Sequence, residues 1–224
     1  MNKNIDKGLF HFCRLLVRIF TPRYNVIRKD KPVLPSVYIV HHQNLWGPII
    51  SFGWLDVPAR IWVLSVFFSF RECFRQYYDY TFTKRYGVPK FLAGIIVAPL
   101  ALIVSGIIRA IKAIPVFRGS RKIVDTFKMS MSALEENHNL IICPDIDYTD
   151  KSSNVGEIYQ GFLHLEKKYR EKTGKHVAFV PLRIDMDKHC IIVGDAVYFS
   201  DEDSFRNDRT NVYNRLKSHM GASN

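Results

Sequence analysis

Two histidines stand where an apolar run of the sequence gives way to polar residues. The run at 37–40 is followed by four polar side chains, those of His41, His42, Gln43 and Asn44, and a glycine-proline pair then opens a second apolar run. An imidazole titrates near neutral pH, so it can take a proton from a hydroxyl group. The alternative is that both rings only satisfy local hydrogen bonds at the end of a strand.

Charged residues follow two other short apolar segments. Arg118, Arg121 and Lys122 come after "IPVF", and Asp145 and Asp147 come after "IICP". A guanidinium group holds a phosphate through two parallel hydrogen bonds. Arg118 is therefore either an anion ligand or a solvated loop charge, and Arg121 and Lys122 are either ligands or a solvated pair on a helix face.

The elements that position these residues alternate between strand and helix patterns. Strand-like segments are "SVYIV", "RIWVL", "AIPVF", "NLII", "HVAFVPLRI" and "CIIVGDAVYF". Helix-like segments begin at Gly47-Pro48, near residue 121 and near residue 158, the last ending at a left-handed cap on Gly174. This alternation predicts an α/β fold with a mostly parallel or mixed central sheet flanked by helices.

Two segments have the composition of membrane-contacting helices. "NIDKGLFHFCRLLVRIF" predicts a basic amphipathic helix, either on a membrane surface or packed on its own domain. The stretch 91–108 has no charged residue, which permits a bilayer crossing, a re-entrant hairpin or a buried core helix. We predict a membrane-contacting segment at 1–30 and an α/β domain at 31–224 with an apolar insertion at 91–108.

The composition of the chain limits the classes of binding partner that we expect. The net charge of +11 indicates an anionic partner, namely nucleic acid, anionic lipid or an acidic carrier protein. Nucleic acid is not expected, because the basic residues are scattered and no nucleic-acid motif occurs. The cysteines, at 13, 73, 143 and 190, form no Cys-x-x-Cys pair, and the acidic stretch 147–157 lacks EF-hand spacing, so no metal is expected.

Four short segments, in this order, resemble the motifs of the glycerolipid acyltransferases, the 1-acylglycerol-3-phosphate acyltransferase family. They are "HHQNLWG", "IPVFRGSRK", "IICPD" and "FVPLRI", and the resemblance covers about residues 35–200. It implies an O-acyltransferase of phospholipid biosynthesis at the cytoplasmic face of a membrane. Such an enzyme moves a fatty acyl group from an acyl-CoA or acyl-carrier-protein thioester to the hydroxyl of a lysophospholipid or related polar alcohol, without a cofactor or metal.

The resemblance also implies roles for the matched residues. In the family's first motif a histidine takes the hydroxyl proton, and an aspartate five positions later orients it. His42 matches the histidine, and His41 is the second candidate. Arg118 matches an arginine that contacts the acceptor phosphate, with Arg121 beside it. The remaining matched positions, expected to contribute to substrate binding, are Asn44, Gly47 and Pro144.

The sequence departs from the family pattern at two motifs. Gly47 stands at the aspartate position, and counting from His41 instead gives Trp46. The third motif, Phe-Pro-Glu-Gly-Thr-Arg in the family, reads "CPDIDY" here. Losing an orienting aspartate costs a catalytic triad about 10⁴-fold in turnover. We therefore expect Asp145 or Asp147 to orient the imidazole, with Asp56 as a further candidate. The alternative is an inactive lipid-binding or scaffolding protein of this fold.

Overall fold

The computed structural model describes residues 3–147, 150, 152, 154–202 and 204–221, with side chains from residue 8 onward. The chain divides into two compact units. The smaller unit comprises Met1–Cys13 and Trp62–Thr126, and the larger comprises Arg14–Ile61 and Phe127–Asn224.

Within the described residues, seven strands form a mixed sheet in the order β1-β7-β6-β2-β5-β3-β4. The strands are β1 (Asn25–Ile27), β2 (Ser36–Val40), β3 (Ala59–Leu64), β4 (Ile114–Val116), β5 (Asn139–Ile142), β6 (Ala178–Asp185) and β7 (Cys190–Val193). All neighbours pair in parallel except β6 and β7, which are antiparallel. The predicted α/β class with a mixed sheet is thus confirmed, while the short edge strand β1 had no prediction.

The central strands of the larger unit are buried because both of their faces are apolar. Every residue of β2 and β5 is buried, and the two strands are in register with Val37 opposite Leu140 and Ile39 opposite Ile142. The chain leaves β2 for β3, beyond β5, and leaves β5 for β6, on the other side of β2. In open α/β sheets, such a change of direction places the binding crevice at the carboxyl ends of the two strands.

Seven α-helices are present within the described residues. They are α1 (Lys3–Phe20), α2 (Trp46–Trp54), α3 (Phe70–Arg75), α4 (Lys90–Ala110), α5 (Ile123–Glu135), α6 (His164–Thr173) and α7 (Phe205–Met220). Gly174 ends α6 with a φ of 70° and donates its N–H to the carbonyl of Arg170, so the predicted left-handed cap is confirmed.

In the smaller unit, α4 is one continuous helix through the apolar stretch, with Pro99 inside it. Its buried residues recur every fourth position and are small: Ala93, Val97, Ala101 and Ser105. They face α3, the turn Ser65–Phe68 and a π-helix at Gln76–Arg85. The large apolar residues point outward, with Phe91 71% exposed and Ile95 66% exposed. Among the described residues, α4 is the one helix long and apolar enough to cross a membrane by length and composition.

In the larger unit, the second half of α1 is fixed to the end of α2 by two arginines. Arg14 Nε donates to the carbonyl of Gly53 at 3.0 Å and its Nη2 donates to the carbonyl of Leu55, while Arg18 Nε donates to Gly53 at 2.8 Å. The last carbonyls of a helix have no partner within it, so cations are favourable there. The apolar face of this half remains exposed at Leu15, Ile19 and Phe20.

Candidate functional site

An imidazole and a carboxylate meet at the carboxyl ends of β2 and β5. His41 directly follows β2, and Asp145 lies three residues beyond β5. The Nδ1 atom of His41 forms a short hydrogen bond with Oδ1 of Asp145, and both side chains are about 95% buried. The two residues are 104 positions apart in sequence. They come together because their strands are parallel neighbours in register.

The carboxylate of Asp145 is held on both sides. Its second oxygen, Oδ2, accepts the backbone N–H of His42 at 2.9 Å. Its own backbone forms a bridge with Ile158, flanked by hydrogen bonds from the N–H of Ile146 to Glu157 and from the N–H of Tyr159 to Pro144. A buried carboxylate requires such partners, and they fix its position against the His41 ring.

The other nitrogen of His41 faces a backbone carbonyl. Nε2 lies 3.1 Å from the oxygen of Ser152. Ser152 is in turn held by Asp150, whose carboxylate accepts the N–H of Ser152 at 2.8 Å and its hydroxyl at 3.0 Å. These two hydrogen bonds lower the pKa of Asp150, and the charge of His41 lowers it further.

The electrostatics of the site favour a protonated His41. Burial lowers the pKa of His41, but the hydrogen bond and charge of Asp145, the Ser152 carbonyl and the charge of Asp150 together outweigh burial. The net pKa therefore lies above the ordinary value of 6.5. Because both ring nitrogens face acceptors, the arrangement is that of an imidazolium donating two hydrogen bonds.

His42 lies at the start of a backbone turn in an unusual conformation. Its side chain is half-buried, and its Nδ1 accepts the backbone N–H of Leu45 at 3.1 Å. Gln43, Asn44 and Leu45 have φ values of 44°, 50° and 83°. Residues other than glycine rarely adopt this left-handed backbone region. Such residues cost about 1–3 kcal/mol each and cluster at functional sites.

Gly47 closes this turn against the strand end. A Cβ atom added there would lie 1.9 Å from the carbonyl oxygen of His41. Its backbone N–H donates to the carbonyl of His42 at 3.1 Å. The position at which the acyltransferase family has its aspartate therefore has no room for a side chain in this backbone conformation.

The structure brings together His41, Asp145 and the backbone N–H of His42. The other residues expected from the sequence have the following positions. Pro144 is part of the bridge beside Asp145, Asn44 lies in the strained turn, and Asp147 is exposed. Asp56 pairs with Arg28. Tyr148, in the altered third motif, lies outside the described residues. Arg118 and Arg121 are exposed between β4 and α5 in the smaller unit, and their role as anion ligands stays a prediction.

The histidine pair does not line either of two cavities found in the larger unit. One, of about 680 Å³, is lined by Arg18, Trp54, Asp56 and residues 23–26. The other, of about 410 Å³, lies between α6 and residues 199–205. Within the described ranges, no group of three His, Cys, Asp or Glu side chains is arranged to hold a metal. In the described conformation, the Ser152 carbonyl covers Nε2 of His41.

Sequence reasoning did not identify Ser152 and Asp150 as contacts of the site. No motif marks Ser152, because its contribution is a backbone oxygen that any residue type carries. The strained turn was also missed, because Gln43, Asn44 and Leu45 include no glycine that would signal positive φ. The signals that pointed to this edge of the sheet were the polar residues after two apolar segments and the resemblance of "HHQNLWG" and "IICPD" to family motifs.

Comparison with known proteins agrees with the architecture. The crystal structure of the 1-acyl-sn-glycerophosphate (LPA) acyltransferase PlsC from Thermotoga maritima superposes with a TM-score of 0.54 and 14% sequence identity. The match covers 97% of this chain and 79% of that chain. The chain has an acyltransferase-like fold. No protein-family profile and no curated protein sequence matches it, so the likeness concerns the fold.

Proposed function

We propose that this protein is a membrane-associated O-acyltransferase that moves a fatty acyl group from a thioester donor to the hydroxyl of a lysophospholipid or a related polar alcohol. The observation that carries the proposal is the His41–Asp145 pair at the carboxyl ends of β2 and β5 in an acyltransferase-like fold. An alcohol is a weak nucleophile near neutral pH and requires a positioned base.

Exposed apolar side chains support an amphiphilic substrate and a membrane location. Leu45 and Trp46, in the turn beside the histidines, are 55% and 45% exposed. The helices α1 and α4 also carry exposed apolar residues, including Phe12, Ile19 and Ile95. Burying such a surface in lipid removes it from water, which favours association with a bilayer. We place the protein at the cytoplasmic face, where acyl-CoA or acyl carrier protein supplies the thioester.

Arg118 and Arg121 are proposed to bind the phosphate of the acceptor. They are exposed guanidinium groups after β4, and this chemistry suits a phosphate monoester. Replacing Arg118 with alanine is expected to raise KM for lysophosphatidate with little change in kcat. Monoacylglycerol, which lacks the phosphate, should be acylated equally by the wild type and by Arg118→Ala. An equal loss of activity with lysophosphatidate and with monoacylglycerol would reject phosphate binding by Arg118.

The test of the function is an assay of the purified chain in detergent or vesicles, with acyl-CoA and acyl carrier protein thioesters as donors. Lysophosphatidate, other lysophospholipids and monoacylglycerol serve as acceptors, and new ester is measured by mass spectrometry. A matched control lacks both imidazoles, as His41→Gln with His42→Gln. Ester formed by the wild type and absent from the control supports the proposal, whereas no ester with any pair rejects it.

Two observations favour a second candidate, a lipid-binding protein of this fold without turnover. Gly47 leaves no space for the orienting aspartate, and Nε2 of His41 faces the Ser152 carbonyl. A protein of this kind would bind lysophospholipid vesicles yet form no ester in the assay above. Binding to lysophospholipid vesicles without ester formation, tested with thioester donors of several acyl chain lengths, would support this candidate.

A further inference from the structure

The two neighbouring histidines are held in different tautomers by their Nδ1 partners. A backbone N–H can only donate, so the bond from Leu45 N–H to Nδ1 of His42, 3.1 Å long, requires an unprotonated Nδ1. When His42 is neutral, its proton must therefore be on Nε2. A ring in this form presents a hydrogen-bond donor at Nε2 and has no lone pair there to take a proton from a substrate.

His41 has the opposite arrangement. Its Nδ1 faces the carboxylate of Asp145, which can only accept when ionised, so Nδ1 carries a proton. A neutral His41 then has its lone pair on Nε2, which is the form that a general base requires. In serine hydrolases the buried aspartate holds its histidine in this same tautomer, and its replacement by asparagine costs about 10⁴-fold in turnover.

The position of Gly47 excludes the usual arrangement on His42. A side chain at 47 would meet the carbonyl oxygen of His41 at 1.9 Å, so no carboxylate can approach from that position. The Nδ1 atom that such a carboxylate would orient already accepts the Leu45 N–H. Meanwhile Asp145, the carboxylate of the altered third motif, accepts from the backbone of His42 and pairs with the ring of His41.

We infer that the general base has moved by one residue, to His41 with Asp145 as its positioning residue, and that His42 serves as an Nε2–H donor to the oxygen that becomes negative during acyl transfer. This inference rests on the proposed acyltransferase function. It assigns the two histidines distinct roles in the same site, in place of a base at His42.

We place the acceptor oxygen at the position that the Ser152 carbonyl occupies in the described conformation. The carbonyl oxygen lies 3.1 Å from Nε2 of His41, within the range expected between a base and the hydroxyl that it deprotonates. A carbonyl can only accept, so it keeps Nε2 protonated. A hydroxyl in its place can donate, which allows the neutral ring with a free lone pair on Nε2.

The transfer then balances without a further reagent. The hydroxyl proton passes to Nε2 of His41 as the oxygen attacks the thioester carbonyl carbon, whose oxygen becomes negative and accepts from Nε2–H of His42. The new carbon–oxygen bond remains and the carbon–sulfur bond breaks. The proton on Nε2 of His41 passes to the departing sulfur, which leaves an ester, a thiol and a neutral ring.

The tautomers are tested directly by ¹⁵N NMR of the imidazole groups in the purified full-length chain, with signals assigned by His42→Gln and by the exposed control His219→Gln. The expected result is a neutral His42 with its proton on Nε2, and a His41 whose Nδ1 stays protonated. Asp145→Asn should move the neutral His41 proton from Nδ1 to Nε2, and Asp145→Glu should restore it to Nδ1. A neutral His42 with its proton on Nδ1 would overturn the inference, whatever the activity.

Measurements of kcat for the same variants are the second test of the inference. We expect Asp145→Asn and His41→Gln to lower kcat by about 10⁴-fold, Asp145→Glu to recover part of that loss, and His42→Gln to lower kcat by about 10²–10³-fold, as for one oxyanion donor. The pH at half-maximal kcat should change in Asp145→Asn and stay unchanged in His219→Gln. Active His41→Gln together with inactive His42→Gln would overturn the shift while the acyltransferase function stands. A wild type without activity would instead refute the proposed function, and with it the roles in transfer.

Discussion

At the scale of single residues, Gly47 determines what the turn after β2 can contain. Any side chain there would enter the space of the His41 carbonyl, so the backbone of the turn would have to move. We predict that Gly47→Ala lowers the free energy of unfolding by about 1–3 kcal/mol, the usual cost of overpacking. Urea denaturation followed by circular dichroism measures this loss.

The control for Gly47 is Gly161→Ala, because a Cβ at 161 would have no atom within 4 Å. Equal stability of the two variants would mean that the turn does not keep its close approach to His41. Gly47→Asp should be at least as unstable as Gly47→Ala and should not increase acyl transfer, since its carboxylate has no path to Nδ1 of His42.

His41 also makes stability depend on pH. Its folded-state pKa is raised above 6.5, so its contribution is fully present below the unfolded value and is lost as pH rises through the raised value. The groups that face the ring are the Asp145 carboxylate at Nδ1 and the Ser152 carbonyl at Nε2, and the negative charge of Asp150 also favours the protonated ring. We predict that the stability difference between the wild type and His41→Gln is largest in mild acid and shrinks towards alkaline pH.

Urea unfolding of both proteins between about pH 5 and pH 9 checks this dependence. The control is His219→Gln, which removes an exposed imidazole at the end of α7 and leaves His41 and its acceptors unchanged. A stability difference for His41→Gln that grows as pH rises would contradict a raised pKa.

At the scale of elements, the sequence predicted what depends on local pattern. The strands β2, β5 and β6 follow from continuous apolar runs, and the end of α6 follows from Gly174. The segment 70–90 carries no pattern that predicts an element, because much of it forms a π-helix at Gln76–Arg85, a rare element without a sequence signature. The pairing of Asp145 with His41 depends on the register of β2 against β5, which neither strand specifies alone.

The second half of α1 combines an anchored side with an exposed apolar side. Arg14 and Arg18 bind the end of α2, while Leu15 and Ile19 are 54% and 64% exposed. We predict that Leu15→Glu with Ile19→Glu weakens binding to vesicles of neutral phosphatidylcholine, because both changes place charge on the surface that would enter the bilayer. The free energy of unfolding should change by less than about 0.5 kcal/mol, since the side chains are exposed.

Vesicle co-sedimentation and urea denaturation check this pair of changes. The matched control is Asn211→Glu with Asn214→Glu, which adds the same charge to exposed positions of α7. Unchanged binding by the α1 variant would show that this helix does not contact the membrane. Loss of binding by the α7 variant as well would attribute the effect to net charge.

At the scale of the whole molecule, the net charge of +11 and the exposed apolar helices should act on membrane binding in separable ways. Screening acts on charges separated by more than about 10 Å at 0.1 M salt, whereas burial of apolar surface is not weakened by salt. Arg14 and Arg18 donate to carbonyls of α2, so the attraction to lipid phosphates should come mainly from other cations.

We therefore predict that binding to vesicles rich in anionic lipid falls as salt is raised, towards a level that vesicles of neutral phosphatidylcholine show at every salt concentration. That remaining level should fall in Leu15→Glu with Ile19→Glu, because it depends in part on the apolar face of α1. Co-sedimentation at a series of salt concentrations measures both parts. If binding to anionic vesicles does not change with salt, the net charge makes no contribution to membrane binding. If binding disappears at high salt, the apolar helices make no contribution.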